Sequence, residues 1–119
     1  MNLLPGYVGL EVRLAQAAIA AGLPAEADKR LVKYLEARAD DAEGWMMLGK
    51  ARVKLDRKDD ALAAFRKSLA LDPRLPGAVE GLVAVLSEQG KKDEARAVLD
   101  ELLRKNPGDP TLDRVRKGL

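Results

Sequence analysis

The chain has 119 residues, 47% hydrophobic and 34% charged, with 21 basic against 19 acidic side chains and neither cysteine nor histidine. The two missing residue types exclude disulfides, thiolate or imidazole metal sites, and serine–histidine or cysteine–histidine nucleophile pairs. Carboxylate chemistry stays open, hydroxyl nucleophiles are scarce with only Ser68, Ser87 and Thr111 besides the tyrosines, and a length of this order makes one domain.

In chain order, residues 1–7 read as an N-terminal extension. Leu3, Leu4, Tyr7 and Leu10 are apolar with no element before them, and two readings stand. They fold back as an irregular cap, or they form an exposed edge that invites a second copy of the chain. From there a period of 34 residues organises the sequence. A shift by 34 aligns Leu14, Leu48 and Leu82, then Ala27, Ala61 and Ala95, then Leu31, Phe65 and Leu99, then Leu35, Leu69 and Leu103. Residue type held over that many columns exceeds what helical periodicity produces, and marks a true repeat. Each unit reads as two helices. In the middle unit Trp45, Leu48, Gly49, Arg52 and Leu55 share one face at helical spacing. A turn follows at Asp56, in the column of Gly22 and Gly90, where a helix ends on a left-handed residue. The second helix carries Ala61, Leu62, Phe65, Ser68 and Leu69 on its buried side, with acids at its positive end. Pro73 and Pro107 stop the second helices, and the aligned alanines mark close helix crossings. At the C-terminus Asp109 is the expected N-cap of a last helix with Pro110 in its first turn, whose Leu112, Val115 and Leu119 cover the final repeat. No strand-like alternation competes, so the fold class is all-α.

These residues resemble the tetratricopeptide repeat family. Its W-x-x-L-G pattern stands here as Trp45-Met-Met-Leu48-Gly49, and its A-x-x-x-F and P as Ala61, Phe65 and Pro73. The resemblance covers three repeats, 8–41, 42–75 and 76–109, with 110–119 as a capping helix. The first repeat is degenerate, with Glu11 at the tryptophan column and Ala39 at the proline column, and Arg52 stands where the family has an aromatic. The resemblance implies a right-handed α-solenoid of helix-turn-helix repeats whose first helices line a concave groove that binds protein. Carried column by column, the groove residues are Val12, Gln16 and Ile19 in the first repeat, and Glu43, Met46, Lys50 and Val53 in the second. The third contributes Gly77, Glu80, Ala84 and Ser87. The spacing of Met46, Lys50 and Val53 independently makes a face distinct from that of Trp45. The two-carboxylate clamp of chaperone-binding members falls on Val12, Gln16, Met47, Gly77 and Gly81, none of them a cation, so chaperone tails are not expected ligands.

The expected function is therefore a non-catalytic protein-interaction module, an adaptor or scaffold, taking an amphipathic helix or an extended apolar-plus-charged segment. The alternatives are docking on the convex face or an end, and a structural domain dimerising through the apolar N-terminal edge. No cofactor, metal or catalytic residue is expected. Asp40-Asp41 and Asp59-Asp60 are explained as helix-start charge, and no phosphate loop occurs. Nucleic acid is not an expected partner, because the charges are interspersed and only Tyr7, Tyr34, Trp45 and Phe65 are aromatic. Trp45 is expected in the core, and Lys91, Lys92 and Arg96 on a solvated turn. No signal peptide or membrane span is read. Cysteine usage does not choose between cytoplasm and periplasm. The composition has a bacterial character, and similar short repeat domains serve envelope machines as parts of longer, membrane-tethered proteins.

Overall fold

Seven α-helices and no strand make up the described residues, 5–119, of the computed structural model, with side chains described from Gly9 onward. Leu3, Leu4 and the side chain of Tyr7 lie outside the described residues. The helices are α1 (Pro5–Ala20), α2 (Pro24–Ala37), α3 (Ala42–Lys54), α4 (Lys58–Leu71), α5 (Pro76–Glu88), α6 (Lys92–Lys105) and α7 (Pro110–Lys117). Each packs on the next, and α1, α3, α5 and α7 also touch in series. The result is an all-α solenoid of helix pairs, with its core between successive layers.

Local chemistry sets the helix ends. Asp41 caps α3 by accepting from the Gly44 N–H at 3.2 Å, and Asp109, 68 residues on, caps α7 through the Leu112 N–H at 3.1 Å. Leu75, in the same column, offers no capping side chain, and Pro76 opens α5 with its fixed φ. The three turns inside the repeats are alike. Gly22, Asp56 and Gly90 have φ of 78°, 59° and 74°. In each, the next N–H bonds back to a carbonyl five residues earlier: Leu23 to Ala18 at 2.8 Å, Arg57 to Arg52 at 2.9 Å and Lys91 to Leu86 at 2.8 Å.

The alanine column is closed throughout, with Ala27, Ala61 and Ala95 at 0% exposure, and so are Leu31, Phe65 and Leu99. The Leu14 column is not uniform. Leu48 and Leu82 are 1% exposed, but Leu14 is 41% exposed. The cause is position in the stack. Leu48 packs in one cluster with Ala27, Leu31 and Leu35 of α2, and Leu82 in another with Leu62, Phe65 and Leu69 of α4, whereas no described helix precedes α1. The other end is shut, because Leu112 of α7 is fully buried, with Val115 and Leu119 packed beside it.

Trp45 packs against the core cluster as expected, but at its edge rather than fully inside it. It is half-buried, its indole N–H donates to the Ala39 carbonyl at 2.9 Å, and the Lys67 ammonium lies 5.7 Å from its ring. An indole must keep its N–H satisfied, and here the accepting carbonyl lies in the turn between α2 and α3. Of the buried polar side-chain atoms, Arg38 Nε, Arg52 Nε and Gln89 Oε1 have no hydrogen-bond partner among the described residues, whereas two hydroxyls are paired. The Ser68 hydroxyl, fully buried, donates to the Ala42 carbonyl at 2.7 Å. Tyr34 donates to Asp41, and burial first, then that hydrogen bond, pushes its phenol well above the usual tyrosine range. Arg52 works in place of the family's aromatic. Its Nη1 donates to the Asp60 carbonyl at 3.3 Å and its Nε lies 3.8 Å from Asp28, which Arg57 also meets at 3.1 Å, so α2, α3 and α4 are tied together.

Among the described residues Asp56 alone pays the steric cost of a left-handed residue with a side chain. Asp56→Gly is expected to stabilise the protein by about 0.5–1 kcal/mol, since relief of the Cβ clash exceeds glycine's entropy cost. Urea unfolding should show a higher midpoint at unchanged slope; a lower midpoint would mean the aspartate makes contacts that matter more than its φ.

Candidate functional site

Ten of the eleven residues expected in the groove separate into three groups, and the eleventh, Gly77, lies under Met46. The column of Val12, Met46 and Glu80 serves repeat stacking. Val12 is 6% exposed, in the core beside Ala42 and Glu43 at the start of α3. Met46 lies over Gly77 of α5, where a Cβ would stand 2.3 Å from its sulfur. Glu80 pairs with Arg114 of α7 at 2.7 Å. All three side chains face the helix that opens the next layer, α3, α5 and α7 respectively. Met47, a clamp column, is likewise core at 4% exposure.

The columns of Gln16, Lys50 and Ala84 and of Ile19, Val53 and Ser87 remain on the surface, the former exposed and the latter half-buried. Four of these six, Ile19, Lys50, Val53 and Ala84, line one recess of about 220 Å³ where α1, α3 and α5 meet. Gln16 and Ser87 lie outside that recess, and Glu43 lines a separate depression with Asp40 and Asp41.

The recess also includes Gly81, which stands in a clamp column, and Phe65, Val85, Lys54 and Glu88, which the family columns did not nominate. Phe65 belongs to α4, the second helix of its repeat, yet its ring forms part of the wall. It reaches that place because α3 and α5 each present a glycine there. A Cβ on Gly49 would stand 2.6 Å from the Phe65 ring, and one on Gly81 would stand 2.4 Å from it. The ring thus fills the gap between two first helices and is 1% exposed. Two glycines inside helical segments, where the residue is disfavoured, were the sequence signal for this packing.

Electrostatically the recess is uneven. Lys50 and Lys54 are exposed a helical turn apart on α3. Glu88 on the α5 wall is engaged by Lys58 at 3.4 Å. Among the described residues no three carboxylates converge to hold a metal ion, and no described helix is long and apolar enough to cross a membrane.

Paired helices recurring every 34 residues, with their first members sharing one grooved face, define a tetratricopeptide-repeat solenoid. Within that class, residues 30–113 match the cytochrome c-type biogenesis protein H TPR domain, and the chain belongs to that family. It is 35% identical over 97 residues to the beta-barrel assembly-enhancing protease of Escherichia coli (strain K12), across 78% of this chain and 20% of that protein. It is 33% identical over 89 residues to the cytochrome c-type biogenesis protein CycH of Pseudomonas aeruginosa, across 72% of this chain and 22% of that one. The chain therefore spans about a fifth of the length of these relatives. Among solved structures, MamA is 27% identical with a TM-score of 0.72, over 87% of this chain and 61% of MamA. The Yersinia enterocolitica chaperone SycD, solved with a peptide of the translocator YopD, shares the fold. Its TM-score is 0.78 at 16% identity, over 98% of this chain and 89% of SycD.

Gly49→Ala tests the Phe65 packing by its sign. Helix propensity alone favours alanine by about 0.5–1 kcal/mol, whereas the methyl would drive into a ring held from the other side by Gly81, an overpacking of about 1–3 kcal/mol. Net destabilisation is expected in urea unfolding, and it should vanish or reverse when Gly49→Ala is placed in a Phe65→Leu background. A stabilising Gly49→Ala in the parent protein would show that the ring has room to move.

Proposed function

We propose that this chain is a non-catalytic protein-interaction module that binds a helical or extended segment of a partner along the face of α1, α3 and α5 and so scaffolds a multiprotein bacterial assembly. The observation that carries the reading is the convergence of Ile19, Lys50, Val53 and Ala84, from three successive repeats, on one recess. A surface assembled from three repeats reads a segment rather than a single group. SycD is solved with a peptide of its translocator, and YrrB is described as having an unusual peptide-binding site, which supports peptide recognition by this fold. The relatives' names, drawn from cytochrome c biogenesis, beta-barrel assembly and the cellulose synthase operon, support work inside a larger machine. Absence of catalysis is part of the reading, and it is supported by the engagement of the Ser68 hydroxyl in the core.

Val53→Glu combined with Ala84→Glu tests the groove, since both residues line it and neither is fully buried. In a pulldown the folded double variant should recover at least about tenfold less partner, as expected when a buried apolar contact becomes a charge. Undiminished recovery would move the binding face to the convex side or an end.

A second reading is favoured by the exposure of Leu14 on a column that is closed in both later repeats. The α1 edge would then pair with a second copy of the chain. Sedimentation is expected to give a concentration-dependent dimer that Leu14→Asp converts to monomer; a parent protein that stays monomeric at all concentrations removes this reading.

A further inference from the structure

The recess over Phe65 is too small for a cofactor and has an unbalanced rim. Its volume of about 220 Å³ lies below the roughly 300–1,000 Å³ of pockets that enclose drug-sized ligands, a size suited to one inserted side chain. Its walls are apolar where Ile19, Val53, Ala84 and the Phe65 ring meet. An occupant that covers them must itself be apolar, because nothing there would satisfy a buried polar group.

The rim decides the rest. Lys50 and Lys54 flank the recess from α3, and among the described residues neither is in an ion pair, whereas the nearby carboxylates are already engaged, Glu88 by Lys58 at 3.4 Å and Glu80 by Arg114 at 2.7 Å. Lys54 also sits in the last turn of α3, where a cation complements the helix dipole. Lys50, a turn earlier, has no such role, and its ammonium reaches toward α5, 3.4 Å from where a Cβ on Gly77 would stand. Two uncompensated cations at the mouth of an apolar recess complement a ligand that is apolar at one point and anionic beside it.

Building on the groove reading above, we propose that this recess selects an acidic–apolar protein segment, with one large apolar side chain inserted over Phe65 and adjacent carboxylates held by Lys50 and Lys54. The segment is recognised by its charge order, not by the terminal-carboxylate clamp, whose columns carry no cation in this chain.

Fluorescence anisotropy with three labelled alanine–glutamine peptides tests this on the full chain. The first peptide carries one leucine followed by two glutamates, the second replaces the leucine by alanine, and the third replaces the glutamates by lysines. The first should bind at least about tenfold more tightly than the second, the worth of one buried leucine. It should also bind about fivefold more tightly than the third, as two exposed ion pairs allow. That charge preference should shrink at high salt and reverse in a Lys50→Glu/Lys54→Glu variant. Ala84→Trp, a substitution at an exposed position verified as folded by circular dichroism, should fill the recess and abolish binding. Equal binding of the acidic and basic peptides, still lost in Ala84→Trp, would overturn the charge selection and leave the groove reading intact. Binding untouched by Ala84→Trp would overturn both, and failure of the acidic leucine peptide to bind would overturn the proposed selection.

Discussion

The packing of Phe65 between Gly49 and Gly81 is the contact on which the rest of the stack depends. One aromatic ring from a second helix spans the gap between two first helices, so it joins the middle repeat to the third and sets how far apart α3 and α5 stand. The arrangement requires glycine on both sides. The helix-propensity cost of glycine, up to about 1 kcal/mol at each site, is offset by burial of a full phenyl ring, worth about 1.5–3 kcal/mol. The same ring ends as part of the recess wall. Core packing and the candidate binding surface therefore share an atom group, and the shape of one cannot change without the other.

Around that contact the solenoid is held by nearest-neighbour terms, as expected of a quasi-one-dimensional fold. Ion pairs cross each junction between layers: Arg57 with Asp28 at 3.1 Å, Arg66 with Glu94 at 2.8 Å, and Arg114 with Glu80 at 2.7 Å. Exposed pairs of this kind contribute at most about 1 kcal/mol each, so they fix register between layers more than they add stability. The apolar columns supply the main driving force. The two ends differ accordingly, with Leu112 closing one and Leu14 standing open at the other.

Charge that looked evenly scattered along the chain has a local order once the helices stack. Most acids and bases on the surface are engaged with each other across turns or layers. Lys50 and Lys54 are left over beside an apolar recess, while Asp40, Asp41 and Glu43 gather near the opposite end of α3.

Much of this could be read from the sequence because a repeat writes the same tertiary contact three times. Columns of Ala27, Ala61 and Ala95, the turn at Gly22, Asp56 and Gly90, and the Asp109 cap each declare a local requirement for a small, left-handed or capping residue. Such requirements are met within a few residues, so spacing alone reveals them. What depended on neighbours in space could not be read this way. Leu14 carries the right residue in the right column, yet no described helix covers it. Val12, Met46 and Glu80 occupy groove columns, yet they are used by the adjoining helix of the next layer. Phe65 reaches the grooved face from the other side of its repeat only because two glycines in separate helices come together. Periodicity names the face on which a side chain leaves its helix; only the distance between helices decides what it then touches.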